Sequence, residues 1–127
     1  MTENELAAFV VEAAFHIHRE LGPGLLESAY EAILTHELTA QGLHVERQKL
    51  LPLTWRNLVV DEGYRADLVV ETKLVIELKS VETLIPVHQK QLLTYLKVGN
   101  YKLGLLINFG AALLKDGLER VVNGLQD

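Results

Sequence analysis

The chain contains 127 residues, of which 49% are hydrophobic and 23% are charged, as is usual for a soluble globular protein. It has no cysteine, no apolar run long enough to span a membrane and no secretory-signal pattern, so we expect one cytoplasmic domain over residues 1–127 without disulfides or thiolate metal sites. The formal net charge of −5 argues against broad, charge-driven adhesion to nucleic acid. A phosphate-binding site would have to be local or supplied with metal ions.

The first helix is predicted over residues 3–21. Thr2 and Glu5 have the spacing of a capping box, and a Gly-Pro-Gly run ends the helix because proline cannot continue the hydrogen-bond ladder. Val11 and Phe15 are additional apolar positions, which indicate a surface buried by a partner. The residues at helical spacing that form the predicted core face are Leu6, Phe9, Val10, Ala13, Ile17 and Leu21.

A second helix is predicted from about Leu26 to Gln41, with Gly42 as its cap. Glu27 falls on the apolar arc of this helix, where a carboxylate is out of place. The helix dipole alone favours an acid in the first turn, but such an acid need not point towards the core. Glu27 is therefore a candidate functional residue. The arc itself consists of Leu26, Ala29, Tyr30, Ile33, Leu34 and Leu38.

The middle of the chain predicts strands. Two of them, residues 43–55 and 58–70, join near Arg56–Asn57, and Gly63 marks a bulge in the second. A third strand is predicted over residues 73–81. The second and third strands therefore form a tight hairpin.

A helix and further strands are predicted for the last part of the chain. Pro86 opens the helix and Gly99 closes it, and the apolar run at 101–110 is typical of a strand covered on both faces. Residues 112–123 fit a final strand or a short helix, and Gly117 favours the strand. The order ααβββαββ describes an α/β or mixed α+β domain built around the central hairpin.

Three charged residues interrupt the apolar strands of this hairpin. Side chains alternate between the faces of a strand, so Glu77 and Lys79 share one face. A three-residue turn at 71–73 would place Asp67 directly opposite Glu77. Two carboxylates so close repel each other, and a divalent metal ion between them is an economical solution.

Carboxylate oxygens suit Mg²⁺, for which Mn²⁺ would be a substitute. Lys79 could hold or deprotonate a water molecule, or stabilise a developing negative charge. Glu27 would add a third carboxylate if it pointed at the hairpin. The alternative is a solvated face with a salt bridge, either Asp67 with Lys79 or Arg65 with Glu77. The strongly apolar surroundings favour the functional interpretation.

Other polar residues are weaker candidates. Gln91 and Tyr95 lie one turn apart on the helix after Pro86, although Tyr95 alone would be read as a core aromatic and Gln91 as a surface residue. Asn108 lies at a strand end that could face the site. Trp55 could stack on a base, but is more often a hydrophobic residue flanking a turn.

Four motifs in order carry a resemblance to a known family. The run "GLLESAY" at 24–30 resembles the Gly-x-x-Glu-x-x-Tyr motif of GxxExxY proteins, which are placed in the PD-(D/E)XK nuclease superfamily. The hairpin "ADLVV…VIELK", the "QLLTYLK" helix and the strand "GLLINFG" fit the same pattern. One departure is that Ala66, rather than proline, precedes Asp67. The resemblance implies a restriction-endonuclease-like core, a mixed central sheet flanked by helices.

The resemblance also implies roles for individual residues. Asp67 is similar to the metal-binding aspartate, and Glu77 and Lys79 to the E-x-K pair of metal ligand and catalytic lysine. The backbone carbonyl of Leu78 would also face the metal, and Glu27 resembles the acid that many members add from a helix. The residues similar to a Q-x-x-x-Y motif, which would orient the site and contact substrate, are Gln91 and Tyr95.

The resemblance implies a Mg²⁺-dependent nuclease that acts on DNA, with RNA as the second choice of substrate. Lys and Arg total only 12, so a dimer or a partner protein would help to hold nucleic acid. The alternatives are a binding or assembly module that keeps the nuclease fold without turnover, and metal-dependent chemistry on a small phosphorylated molecule. No glycine-rich phosphate loop supports the last of these.

Overall fold

Residues 1–126, which a computed structural model describes, form three α-helices, one 3-10 helix and one five-stranded sheet. The order is the predicted one, and the final segment contains both a short helix and a strand. In chain order the elements are α1 (Glu3–Leu21), α2 (Glu27–Ala40), β1 (Val45–Trp55), β2 (Leu58–Val70), β3 (Leu74–Lys79), α3 (Pro86–Gly99), β4 (Leu103–Asn108), the 3-10 helix (Leu114–Gly117) and β5 (Leu118–Val122).

The sheet has the strand order β1-β2-β3-β4-β5. Neighbouring strands are antiparallel except β3 and β4, which run parallel. A parallel pair needs a crossover connection, and α3 supplies it. The result is a mixed sheet in a mixed α/β fold, as the sequence predicts.

The helices cover both faces of the sheet. Helices α1 and α2 pack on one face, in a core cluster that includes Tyr30, Leu34 and Ile76. Helix α3 packs on the other face, in a second cluster that includes Leu92 and Val75. All six residues of β4 are buried, because this strand is covered on both sides. Since side chains alternate, Glu77 lies on the α3 face, with Val75.

The capping box and the bulge follow the sequence prediction. Thr2 and Glu5 bond to each other's backbone N–H at the start of α1. The pairing of β1 with β2 shifts between Leu51 and Leu53, opposite the segment that contains Gly63. A Cβ at Gly63 would lie 2.6 Å from the Leu53 Cβ, so this bulge requires glycine.

The surface of α1 differs from the prediction. Phe9 and Leu21 were expected in the core but are exposed, while Val11 and Phe15, expected to meet a partner, pack partly against the core of this chain. Small residues of the helix, Ala7 and Ala14, are buried instead. None of the helices in residues 1–126 has the length and apolar character needed to cross a membrane.

Candidate active site

Strands β2 and β3 separate a short distance from their turn. Three residue pairs join them, Leu68 with Ile76, Val69 with Val75 and Val70 with Leu74. Beyond these pairs β2 continues along β1, and β3 continues along β4. The two strands therefore open a gap within the sheet.

Asp67 and Glu77 are the first residues past the last pair, directly opposite each other in the predicted register. That register depends on the three-residue turn. Glu71 and Thr72 have left-handed backbones, with φ of 52° and 54°, and the Lys73 N–H donates to the Val70 carbonyl at 3.0 Å. Successive left-handed residues match the twist of a hairpin, which explains the tight turn.

The two carboxylates bridge the gap between the strands. The Asp67 N–H donates to Glu77 Oε1 at 3.2 Å, and the Leu78 N–H donates to Asp67 Oδ2 at 2.8 Å. Side chains thus replace the strand-to-strand hydrogen bonds that end at Leu68 and Ile76. This reciprocal bonding holds both carboxylates at one point of the sheet.

Burial and the charge of Asp67 raise the pKa of Glu77 from 4.5 to about 8, while Lys79 opposes the rise. Glu77 is only 9% exposed. Burial is the larger cause of the rise, and neither carboxylate forms an ion pair with a cation of residues 1–126. A buried acid with a raised pKa beside a second acid is a candidate functional site.

Lys79 lies two residues beyond Glu77 on the same strand face and is half-buried. Among residues 1–126 it forms no ion pair, and Arg65 does not pair with Glu77. Neither Asp67 with Lys79 nor Arg65 with Glu77 therefore forms a salt bridge. The Lys79 ammonium group is available to another partner.

Asp67 also borders a cleft of about 310 Å³ between the sheet and α2. Glu27 lies at the start of α2 and lines the same cleft. In the described part of the chain, no three His, Asp or Glu side chains converge closely enough to hold a metal ion. Glu27 therefore shares the cleft with Asp67 but does not close a three-carboxylate cluster. The lining residues are Glu27, Ser28, Glu31, Gln48, Asp67 and Leu78.

The start of α2 is positioned by Tyr30. Its hydroxyl donates to the Gly22 carbonyl and accepts the Leu25 N–H, and its ring stacks on Phe109 at 4.3 Å. The Ser80 hydroxyl donates to the Leu25 carbonyl at 2.7 Å. The loop before α2 is thereby tied to the segment after Lys79, so the tyrosine of "GLLESAY" has a structural role.

The α3 face of the site contains two stacked tyrosines. The rings of Tyr64 and Tyr95 lie 4.3 Å apart, and the Tyr64 hydroxyl donates to the Tyr95 carbonyl at 2.6 Å. Burial raises the pKa of Tyr95, and the charges of Glu77 and Asp67 add to the rise. Tyr95 therefore lies close to the carboxylates. Gln91 is exposed and makes no side-chain hydrogen bond within residues 1–126.

Two further candidates lie elsewhere. Asn108 is buried and clamps the segment after Lys79, with hydrogen bonds to both the N–H and the carbonyl of Val81 at 3.0 and 2.8 Å. It also accepts the Gly110 N–H. Trp55 is 64% exposed at the tip of the β1–β2 hairpin, with the Arg56 guanidinium over its ring.

Sequence reasoning missed Glu31, which is buried beside the cleft. It accepts one hydrogen bond from Arg47 Nε at 3.1 Å and one from Gln48, and its Oε2 also forms an ion pair with Arg47 Nη2 at 3.0 Å. The available signal was its position one helical turn after Glu27, on the same side of α2. In a regular strand, neighbouring side chains point to opposite faces, so Arg47 and Gln48 would not be expected to bond to the same carboxylate.

A comparison with protein families agrees with this fold. A family model described as the PD-(D/E)XK nuclease superfamily matches residues 4–121. Because the match spans nearly the whole chain, this protein belongs to the PD-(D/E)XK nuclease superfamily. No curated protein and no solved structure matched the chain.

Proposed function

We propose that this protein is a Mg²⁺-dependent nuclease that hydrolyses phosphodiester bonds in DNA, with RNA as the second choice of substrate and Mn²⁺ as a substitute ion. Superfamily membership supports a nuclease. The single observation that carries the proposal is the Asp67–Glu77 pair, held at a gap in the sheet and not neutralised by the chain's own cations. A cytoplasmic location is part of the same proposal.

The donor set fits a hard divalent ion. A carboxylate has about four acceptor positions, and the hydrogen bonds to Asp67 and Glu77 leave several of them free. These two side chains would hold the metal, together with the Leu78 backbone carbonyl, while Glu27 would line the approach to it from the cleft. Bound Mg²⁺ supplies Lewis-acid stabilisation of the charge that develops on the scissile phosphate.

Lys79 would assist the attacking water. Its ammonium group lies on the face of Glu77 and has no ion-pair partner among residues 1–126. A positioned ammonium can orient a water, accept its proton after losing its own, or stabilise negative charge in the transition state. Tyr95 would position the carboxylates from the α3 side, and Gln91, exposed one turn earlier, would contact the substrate.

The substrate would lie over the gap between β2 and β3, which the α2 cleft borders on one face and α3 on the other. Few unpaired cations of the neighbouring strand β1 could hold it, because Arg47 pairs with Glu31 and Lys49 pairs with Glu46. We therefore propose that a second copy of the chain or a partner protein contributes to holding nucleic acid.

Calorimetric titration of Mg²⁺ and Mn²⁺ into wild type and Asp67→Asn tests the metal, and cleavage of single-stranded, duplex and branched DNA and of RNA then tests the reaction. We expect binding that Asp67→Asn abolishes, and cleavage that Lys79→Met abolishes. A wild-type protein that binds no ion at millimolar concentrations would contradict the catalytic proposal.

One observation favours a second candidate, a binding or assembly module with the nuclease fold and no turnover. The net charge is −5, and two basic residues of β1, Arg47 and Lys49, are already paired with acids, which is a weak basis for binding a polyanion. This module would bind its partner without Mg²⁺ and would cleave none of the four substrates.

A further inference from the structure

Gln48 has an unusual backbone in the middle of β1. Its φ is 50°, in the left-handed region that residues other than glycine rarely adopt. Strand β1 nevertheless continues on both sides of it. Such a conformation persists only where surrounding contacts compensate for its cost. The contacts of Gln48 therefore show which interactions compensate for this cost.

The distortion brings two consecutive side chains to one partner. In a regular strand Arg47 and Gln48 would point to opposite faces, yet both bond to the buried Glu31 carboxylate. Arg47 contacts Oε2, and the Gln48 amide nitrogen donates to Oε1 at 2.5 Å. The left-handed turn thus redirects the Gln48 side chain into the cleft.

The second N–H of the same amide group reaches Asp67. Gln48 Nε2 lies 3.2 Å from Asp67 Oδ1, and the Leu78 N–H occupies the other oxygen, Oδ2. Each oxygen of Asp67 therefore accepts one hydrogen bond from a fixed donor. An amide nitrogen has two hydrogens, and here they join two carboxylates.

We propose that Gln48 is a positioning residue, whose amide group sets the orientation of the Asp67 carboxylate and is itself held by the Glu31–Arg47 ion pair. The proposal rests on the proposed function, because it gives the orientation of Asp67 a purpose in metal binding. Hydrogen-bond partners that orient a ligand typically change metal affinity about 10- to 100-fold. Glu31 in turn orients the amide group, so α2 is coupled to the metal centre through β1.

The variant Gln48→Gly tests the proposal without straining the fold, since glycine adopts the left-handed backbone freely. Gln48→Asn keeps an amide group and also tolerates this backbone, but is one methylene too short to reach both carboxylates. Glu31→Gln removes the charge that holds Arg47. Gln89→Ala, at an exposed glutamine on α3, is the matched control.

Two readouts are needed. The first is the Mg²⁺ dissociation constant from calorimetry, which we expect to weaken about 10- to 100-fold in Gln48→Gly and Gln48→Asn and to stay unchanged in Gln89→Ala. The second is hydrogen exchange of the Leu78 amide in the metal-free protein, compared with the Phe109 amide. Phe109 donates to the Lys79 carbonyl at the same end of β3, at 2.9 Å, and serves as an internal reference.

Faster exchange at Leu78 with unchanged exchange at Phe109 supports positioning. Equal acceleration at both amides would show that Gln48 only stabilises the sheet, and would overturn the proposal. Unchanged exchange and unchanged affinity would overturn it as well. If wild type binds no Mg²⁺, the proposed function fails, while selective exchange at Leu78 in Gln48→Gly would still support the orientation of Asp67 by Gln48.

Discussion

The carboxylates of Asp67 and Glu77 each accept a backbone N–H from the strand that carries the other residue. These two bonds replace the sheet hydrogen bonds where β2 and β3 separate. Burial of Glu77, together with the charge of the half-buried Asp67 beside it, raises the pKa of Glu77 to about 8.

Stability should depend on pH through Glu77. Its pKa is about 4.5 in the unfolded chain and about 8 in the folded one, so the folded state binds more protons between these values. The free energy of unfolding should therefore decrease by up to roughly 1.4 kcal/mol per pH unit as the pH rises through this window, and level off above it. Urea denaturation of the metal-free protein across the window measures the slope.

Glu77→Gln is the control for this slope. The glutamine side chain is neutral throughout and can still accept the Asp67 N–H, so most of the decrease should disappear. All other residues are the same in the two proteins, so the difference between their slopes reports on residue 77. Identical slopes for wild type and Glu77→Gln would show that the carboxylate does not titrate in this window.

Adding Mg²⁺ should stabilise the folded protein and removing it should reverse the effect. An ion that binds only the folded state adds about 2.7 kcal/mol at a concentration one hundred times its dissociation constant. It should also flatten the pH dependence, because it keeps Glu77 ionised. Thermal denaturation with Mg²⁺ and with a chelator measures both effects, and Asp67→Asn should remove both. An equal increase in Asp67→Asn would place the ion elsewhere.

Lys79→Met should separate chemistry from metal binding. The methionine side chain keeps much of the volume and loses the ammonium group, so cleavage should fall by about 10²- to 10⁴-fold while Mg²⁺ affinity stays within a few-fold. Single-turnover cleavage and calorimetry on one preparation measure the two quantities. Lys90→Met, at an exposed lysine on α3, should leave both unchanged. Retained cleavage in Lys79→Met would remove Lys79 from the mechanism.

Tyr30→Phe should destabilise the fold by about 1–2 kcal/mol, because the Gly22 carbonyl and the Leu25 N–H lose their partner while the ring keeps its stacking on Phe109. Urea denaturation at constant pH measures the loss. Tyr101→Phe is the control, since the Tyr101 hydroxyl makes no hydrogen bond within residues 1–126. Equal effects of the two variants would show that the hydroxyl of Tyr30 does not hold the loop.

Local sequence patterns predict much of this fold. Helical spacing and the capping box predict α1, while alternation and a tight three-residue turn predict the hairpin and place Asp67 opposite Glu77. The apolar run that became β4 predicts a strand covered on both faces. In each case the contacts that determine the structure lie within one element or one turn, so a local sequence pattern predicts it.

The order of the elements, the register of the hairpin and the identity of the paired acids depend on neighbours along the chain, so local patterns predict them. The left-handed backbone of Gln48 and the meeting of Arg47 and Gln48 at Glu31 depend instead on contacts between segments that are distant in the chain. Alternation assumes extended backbone at every position, and a left-handed residue breaks that assumption. Contacts with a different helix stabilise the exception, and no local pattern in the sequence encodes them.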